Sequence, residues 1–161
     1  MELENERQGA QEKSLVAARI IWAGIAGGVV IMGLLGLAVL RGILPGIKLA
    51  VMPLPPQVLR LSIYALSAII LLSAEAVKRL VSRSASGERQ LLQSMNISLV
   101  LSCAAAEAPA LLGLLQLFVG GGGVDFYVLW AVSLAFLARN FPYREQWLSA
   151  LRREKTPPAV G

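Results

Sequence analysis

Residues 94–119, SMNISLVLSCAAAEAPALLGLLQLFV, decide the fold of this chain, because they form a long apolar run with one charged residue, Glu107. A helix needs about 20 largely apolar residues to cross the ~30 Å hydrocarbon core of a membrane. Residues 94–119 meet that requirement. They predict a membrane-spanning helix that carries a carboxylate near its middle.

Three further stretches have the same character, and they cover residues 20–40, 61–77 and 123–140. In lipid, helices and closed barrels are the structures that satisfy every backbone polar group, and these stretches lack the alternating pattern of a barrel strand. The sequence therefore predicts an all-α polytopic membrane protein with four transmembrane helices. The transmembrane domain covers residues 20–139, between a tail of residues 1–19 and a basic tail of residues 140–161.

The composition of the whole chain agrees with a membrane protein. Of its 161 residues, 56% are hydrophobic and 16% are charged, whereas about a quarter of the residues of a soluble domain are charged. The chain has one cysteine and no histidine, which excludes an internal disulfide and metal sites built from several Cys or His ligands. We expect no metal and no cofactor.

The basic residues predict the orientation. Of the 15 Lys and Arg residues, all but Arg41, Lys48 and Arg60 fall in the two tails, between the second and third stretches, or, in the case of Arg139, at the end of the fourth stretch next to the C-terminal tail. Because basic residues are enriched in cytoplasmic loops, we expect both termini to be cytoplasmic and the protein to reside in a bacterial inner membrane. Because the Lys and Arg residues flank the apolar stretches, we expect them to contact lipid headgroups and not nucleic acid.

A weak internal repeat predicts how the helices are arranged. Residues 32–40, MGLLGLAVL, align with residues 109–117, PALLGLLQL, and this alignment places Gly36 on Gly113. We therefore expect two tandem helical hairpins of the same orientation. Within the first stretch, Gly24, Gly27 and Gly28 share a face, which predicts close packing against another helix.

Glu107 is the candidate functional residue. A carboxylate at the centre of a membrane helix costs about 2.5–3.5 kcal/mol, and desolvation disfavours its charged form, so we expect Glu107 to be protonated much of the time. Pro109 has no amide hydrogen, so the carbonyl of Ala105 loses its helical donor near the acid. Three interpretations stay open: proton or cation binding, a hydrogen bond to another helix through Ser67, Ser98 or Ser133, and a solvated cavity without function.

Two other acids have simpler explanations. Glu75 has Lys78 and Arg79 three and four residues later, a spacing that favours an ion pair on one helix face. Asp125 lies where the fourth helix is expected to begin, and an acid there complements the helix dipole.

Residues 104–119, AAAEAPALLGLLQLFV, resemble the ion-binding helix of the c subunit proteolipid of rotary F- and V-type ATPases. The resemblance implies that Glu107 is the ion-binding carboxylate, that Gly113 belongs to a helix-packing pattern, and that the chain works beside other membrane subunits or copies of itself. The chain departs from the family in the loop of residues 78–90, which has no Arg-Gln-Pro or Arg-Asn-Pro turn.

The chain contains no Walker motif, catalytic triad or metal constellation, so we expect no enzymatic activity and no catalytic residues. The leading hypothesis is a small proteolipid-like membrane protein in which Glu107 binds a proton or cation, supported by Ala105, Pro109 and Gly113. The alternative is an accessory subunit of a larger membrane complex, in which Glu107 holds helices together. In both cases the expected partners are membrane lipids and other membrane subunits or a second copy.

Overall fold

The computed structural model describes residues 2–44, 55–84 and 88–145. They form four helices: α1 (Glu2–Leu40), α2 (Pro56–Ser84), α3 (Glu88–Phe118) and α4 (Gly123–Arg139). The prediction of an all-α fold is confirmed. Most of the predicted basic tail of residues 140–161 lies outside the described residues.

Three of the helices contain segments long and apolar enough to cross a membrane, namely Glu12–Leu40, Gln57–Val81 and Gln93–Phe118. These segments include or overlap the first three predicted spans. The fourth predicted span, residues 123–140, coincides with α4, which has 17 residues. Helix α1 begins at Glu2, so the helix also includes the residues that the sequence analysis assigned to an N-terminal tail.

The helices alternate in direction, and α3 lies at the centre. It packs against each of the other three helices, and α1 also packs against α4. Helices α1 and α3 run in the same direction, since Asn96 donates to Ser14 at 3.1 Å and Glu107 lies against Gly28 further along. Helices α2 and α4 run together in the opposite direction, since the ion pairs Arg60–Asp125 and Glu75–Arg139 join their starts and their ends. Trp22 of α1 also donates to the carbonyl of Leu137 of α4 at 2.9 Å.

The predicted pair of equivalent hairpins is not confirmed. Helices α3 and α4 form a tight hairpin, whose turn uses Gly120 with a φ angle of 95°, a backbone conformation that favours glycine. Within the described residues α1 packs against α3 and α4, and not broadly against α2. The longer connection between α1 and α2 does not require these two helices to be neighbours.

Glycines of α1 meet aromatic rings of α4. A Cβ built on Gly33 would lie 2.5 Å from Cε2 of Trp130, and a Cβ on Gly36 would overlap the ring of Phe126, which is fully buried. The predicted packing face of Gly24, Gly27 and Gly28 is therefore wrong in part. Gly24 and Gly27 are exposed, and Gly28 alone of the three contacts another helix, because the bulky side chains of α4 face Gly33 and Gly36.

Gly33→Ala should destabilise the protein, whereas Gly27→Ala should not. A methyl group on Gly33 has to displace Trp130, which donates a hydrogen bond to the carbonyl of Val29 at 2.9 Å. We expect a loss of about 1–3 kcal/mol, as for other overpacked sites. Among the described residues nothing lies within 4 Å of a Cβ built on Gly27, so this variant is the matched control. Size-exclusion chromatography of detergent-solubilised protein after heating measures the effect, and equal melting temperatures for the two variants would contradict the packing.

Candidate functional site

Glu107 lies at the edge of the interface between α1 and α3. Its Oε1 atom is 3.0 Å from the position that a Cβ on Gly28 would occupy, so the carboxyl group rests directly on the backbone of α1. On α3 its neighbours Cys103 and Ala106 are fully buried, whereas Ala104 and Leu111 are exposed. The carboxyl group is therefore half-buried, with one side against α1 and the other towards the outside of the bundle.

No hydrogen bond or ion pair joins Glu107 to another residue that the structure describes. The three serines considered as partners lie elsewhere: Ser133 accepts a hydrogen bond from the amide of Ala110, Ser67 Oγ is buried without a partner, and Ser98 is buried on α3 itself. The structure thus brings Glu107 together with Gly28, a contact that the sequence analysis did not identify.

Pro109 lies inside α3, which continues through it without a break. The amide of the next residue, Ala110, donates to Ser133 Oγ of α4 at 2.9 Å. Gly113 lies one turn further along, where a Cβ would be 3.2 Å from Cβ of Leu129. Pro109 and Gly113 therefore belong to the region where α3 meets α4, on a different side of α3 from Glu107.

Ala105 is also buried, and its side chain projects from α3 about 200° away from that of Glu107, since each helical residue turns by about 100°. The side of α3 that carries Ala105 also carries Gln116, whose Nε2 contacts Asp125. Ala105 and Pro109 thus face away from α1. The structure does not bring their side chains together with the carboxyl group of Glu107.

A group of polar side chains at one end of the bundle joins three helices, and we call it the Asp125 cluster (Arg60, Tyr64, Gln116 and Asp125). Asp125 Oδ1 is 2.9 Å from Nε of Arg60 and accepts a hydrogen bond from the Tyr64 hydroxyl at 2.9 Å. Its Oδ2 accepts one from Gln116 Nε2 at 3.2 Å. Asp125 lies in the first turn of α4, as the sequence predicts, but it is buried and paired.

The pairing of Arg60 with Asp125 was not predicted from the sequence. The available signal was that Arg60 and Asp125 carry opposite charges and lie at the same expected boundary of the second and fourth spans. In a bundle of alternating helices, the start of the second helix and the start of the fourth lie at the same end.

A second polar group, the Glu75 cluster (Glu75, Lys78, Arg139 and Asn140), lies at the opposite end of α2 and α4. Glu75 Oε1 is 3.5 Å from Nη2 of Arg139, and Lys78 Nζ donates to Asn140 Oδ1 at 2.8 Å. Glu75 therefore pairs across helices, whereas the sequence analysis expected a pair along α2. Two ion pairs now connect α2 to α4, one at each end.

The described residues contain no group of three or more His, Cys, Asp or Glu side chains that could hold a metal ion. Glu107 is a lone, half-buried carboxyl group among the described residues, and the two ion pairs join α2 to α4. Comparisons with protein-family models, curated proteins and solved structures find no match to this chain.

Ser133→Ala should destabilise the bundle, because it leaves the buried amide of Ala110 without its partner. An unsatisfied buried donor costs about 1–3 kcal/mol. Ser73→Ala is the matched control, since Ser73 is exposed on α2 and exposed substitutions usually change stability by less than about 0.5 kcal/mol. Thermal unfolding in detergent compares the two, and an unchanged midpoint for Ser133→Ala would contradict the assigned hydrogen bond.

Proposed function

We propose that this chain is an integral membrane protein whose four helices all cross the bilayer, and that Glu107 reversibly binds a proton at the interface between α1 and α3. One observation carries this proposal: the carboxyl group of Glu107 rests on Gly28 in the apolar part of the bundle, half-buried and without a described partner. The three segments long and apolar enough to cross a membrane support the placement in lipid.

The charged side chains at the two ends of the bundle fit a bilayer. On α2, Arg60 and Lys78 are separated by 18 residues, or about 27 Å at 1.5 Å per residue, close to the ~30 Å of a hydrocarbon core. Ser133 lies near the middle of α4 and contacts Ala110 of α3. Glu107 precedes Ala110 by three residues, about 4.5 Å along the helix axis. The acid is therefore close to the midplane of the proposed membrane domain.

The surroundings of Glu107 favour a proton over a metal cation. Hard cations such as Ca²⁺ and Mg²⁺ require about six or more oxygen ligands, whereas Glu107 has no second acid or amide among its described contacts. Burial in an apolar medium disfavours a charged carboxylate without a partner. The group therefore binds a proton at the midplane, and its exposed side allows that proton to leave.

Two features support a proteolipid-like role within an assembly. Residues 104–119 resemble the ion-binding helix of the c subunit of rotary ATPases, and the exposed side of Glu107 lies beside the exposed apolar residues Leu111 and Val100. A neighbouring subunit can approach the acid over this surface. The alternative function, an accessory subunit in which Glu107 only joins helices, requires a partner for the carboxyl group.

Dicyclohexylcarbodiimide, an apolar reagent that attacks protonated carboxyl groups, should label Glu107 in isolated membranes. Labelling should decrease as the pH is raised, because deprotonation removes the reactive form. Mass spectrometry of peptides locates the adduct. Glu75→Gln is the control and should leave the labelling unchanged, while Glu107→Gln should abolish it. An absence of adduct on Glu107 at every pH at which the protein stays folded would refute proton exchange.

Glu107→Gln distinguishes proton binding from helix joining. Since no described residue pairs with Glu107, we expect this variant to change the free energy of unfolding by less than about 0.5 kcal/mol. A loss of about 1–3 kcal/mol, the cost of an unsatisfied buried group, would favour the accessory function instead. Thermal unfolding in detergent and in reconstituted vesicles provides the measurement.

A further inference from the structure

A line of polar side chains follows the junction of α2, α3 and α4, and we call it the polar seam. Residues seven apart lie on nearly the same side of a helix, and each helix contributes one such series. The series are Arg60, Ser67 and Ala74 on α2; Ser102, Pro109 and Gln116 on α3; and Asp125 and Arg139 at the two ends of α4, between which Val132 is exposed. The contacts of Asp125 with Arg60 and Gln116 show that the three series meet at one end of the bundle.

Four buried side-chain oxygens in the described part of the chain lack a hydrogen-bond partner, namely Ser67 Oγ, Glu75 Oε1, Ser102 Oγ and Gln116 Oε1. Those of Ser67, Ser102 and Gln116 lie along the polar seam, whereas Glu75 Oε1 lies beside it and is 3.5 Å from Nη2 of Arg139. Ser67, Ser102 and Gln116 are 4%, 1% and 3% exposed, respectively. A buried polar atom without a partner lowers the stability of the fold by about 1–3 kcal/mol. The location of such oxygens along one helix junction therefore indicates that a ligand can bind there.

The neighbouring side of α3, about a quarter of a turn away, is different. There Leu99, Cys103, Ala106 and Ala110 pack with residues of α1 and α4 into an apolar core. The unpartnered oxygens are therefore not a general property of the bundle. They are confined to the side on which α2 closes over α3 and α4.

The polar seam has closed ends. The ion pair of Arg60 with Asp125 lies at one end, and the ion pair of Glu75 with Arg139 lies at the other. Ser67 follows Arg60 by seven residues and precedes Glu75 by eight, which places it about 10 to 12 Å from either end. Between the two clusters, the backbones of α2 and α4 make few contacts in the described residues.

We propose that the polar seam is a water-accessible pathway across the bundle for small solutes that donate hydrogen bonds, of the ammonium class, and that the two ion pairs close it. Gln116 Oε1 can only accept hydrogen bonds, and the hydroxyl groups of Ser67 and Ser102 can accept them as well. A donor-rich solute is therefore the complement of the seam. The pathway depends on the membrane placement of the helices but not on Glu107, which lies on the other side of α3.

Thiol labelling tests whether water reaches the seam. Ser67→Cys and Ser102→Cys are made in a Cys103→Ala chain and treated in intact membranes with a small cationic methanethiosulfonate, which reacts with hydrated thiolates. The native chain is the matched control, since Cys103 is fully buried in the apolar core. We expect both introduced cysteines to react at least about tenfold faster than Cys103, and ammonium chloride to slow them more than sodium chloride does. Rates equal to that of Cys103 would overturn the pathway.

A variant that lacks the ion pair at one end tests whether these ion pairs close the polar seam. Asp125→Asn removes the charge that holds Arg60, so Ser67→Cys should react severalfold faster in this background. Vesicles of phosphatidylcholine and phosphatidylglycerol that contain the Asp125→Asn protein should also take up ammonium faster than those with the native chain. If the Asp125→Asn protein does not fold, the Arg60→Gln variant is used in its place. Arg60 is largely exposed, so this substitution disturbs the fold less. Uptake no faster than in protein-free vesicles, for both the native chain and the folded variant, would refute the proposal.

Discussion

The hydrogen bond from the amide of Ala110 to Ser133 is the contact on which the arrangement of the other helices depends. It requires the backbone of α3 to approach α4 closely, which small residues such as Ala110 and Gly113 allow. With α4 held there, its aromatic rings meet the glycines of α1 and its two charged ends reach α2. The helices α1 and α2 are thus positioned through α4 and α3, and not through each other.

The central helix α3 has two chemically different sides, and this difference gives the bundle its organisation. One side presents Cys103, Ala106 and Ala110 to an apolar core. The other presents Ser102 and Gln116, whose oxygens are buried without partners. Glu107 belongs to neither, because it lies at the outer edge of the contact with α1. The proposed proton site and the polar seam can therefore share one helix while remaining separate, since about half a helical turn divides them.

The helices could be predicted from the sequence because apolar length is a local property, and the structure places helices over all four predicted stretches. Their packing could not be predicted in the same way. Helix α1 carries glycines on more than one face, and the face that packs is the one opposite Trp130 and Phe126 of α4. That information lies about 100 residues away along the chain, and the periodicity of α1 does not contain it.

The same distinction between local and distant information explains which polar residues the sequence revealed. Glu107 is conspicuous because an acid inside an apolar run has a high desolvation cost wherever its side chain points. Arg60 and Asp125 are inconspicuous because charges are ordinary at the ends of such runs. The burial of Asp125 and its pairing with Arg60 follow only from the alternating order of the helices. The depth of a charge along a helix can thus be read from sequence, whereas its direction around the helix depends on the neighbours that the fold provides. Gly28 illustrates this for Glu107, since a residue without a side chain gives no sign in the sequence that a carboxyl group rests on it.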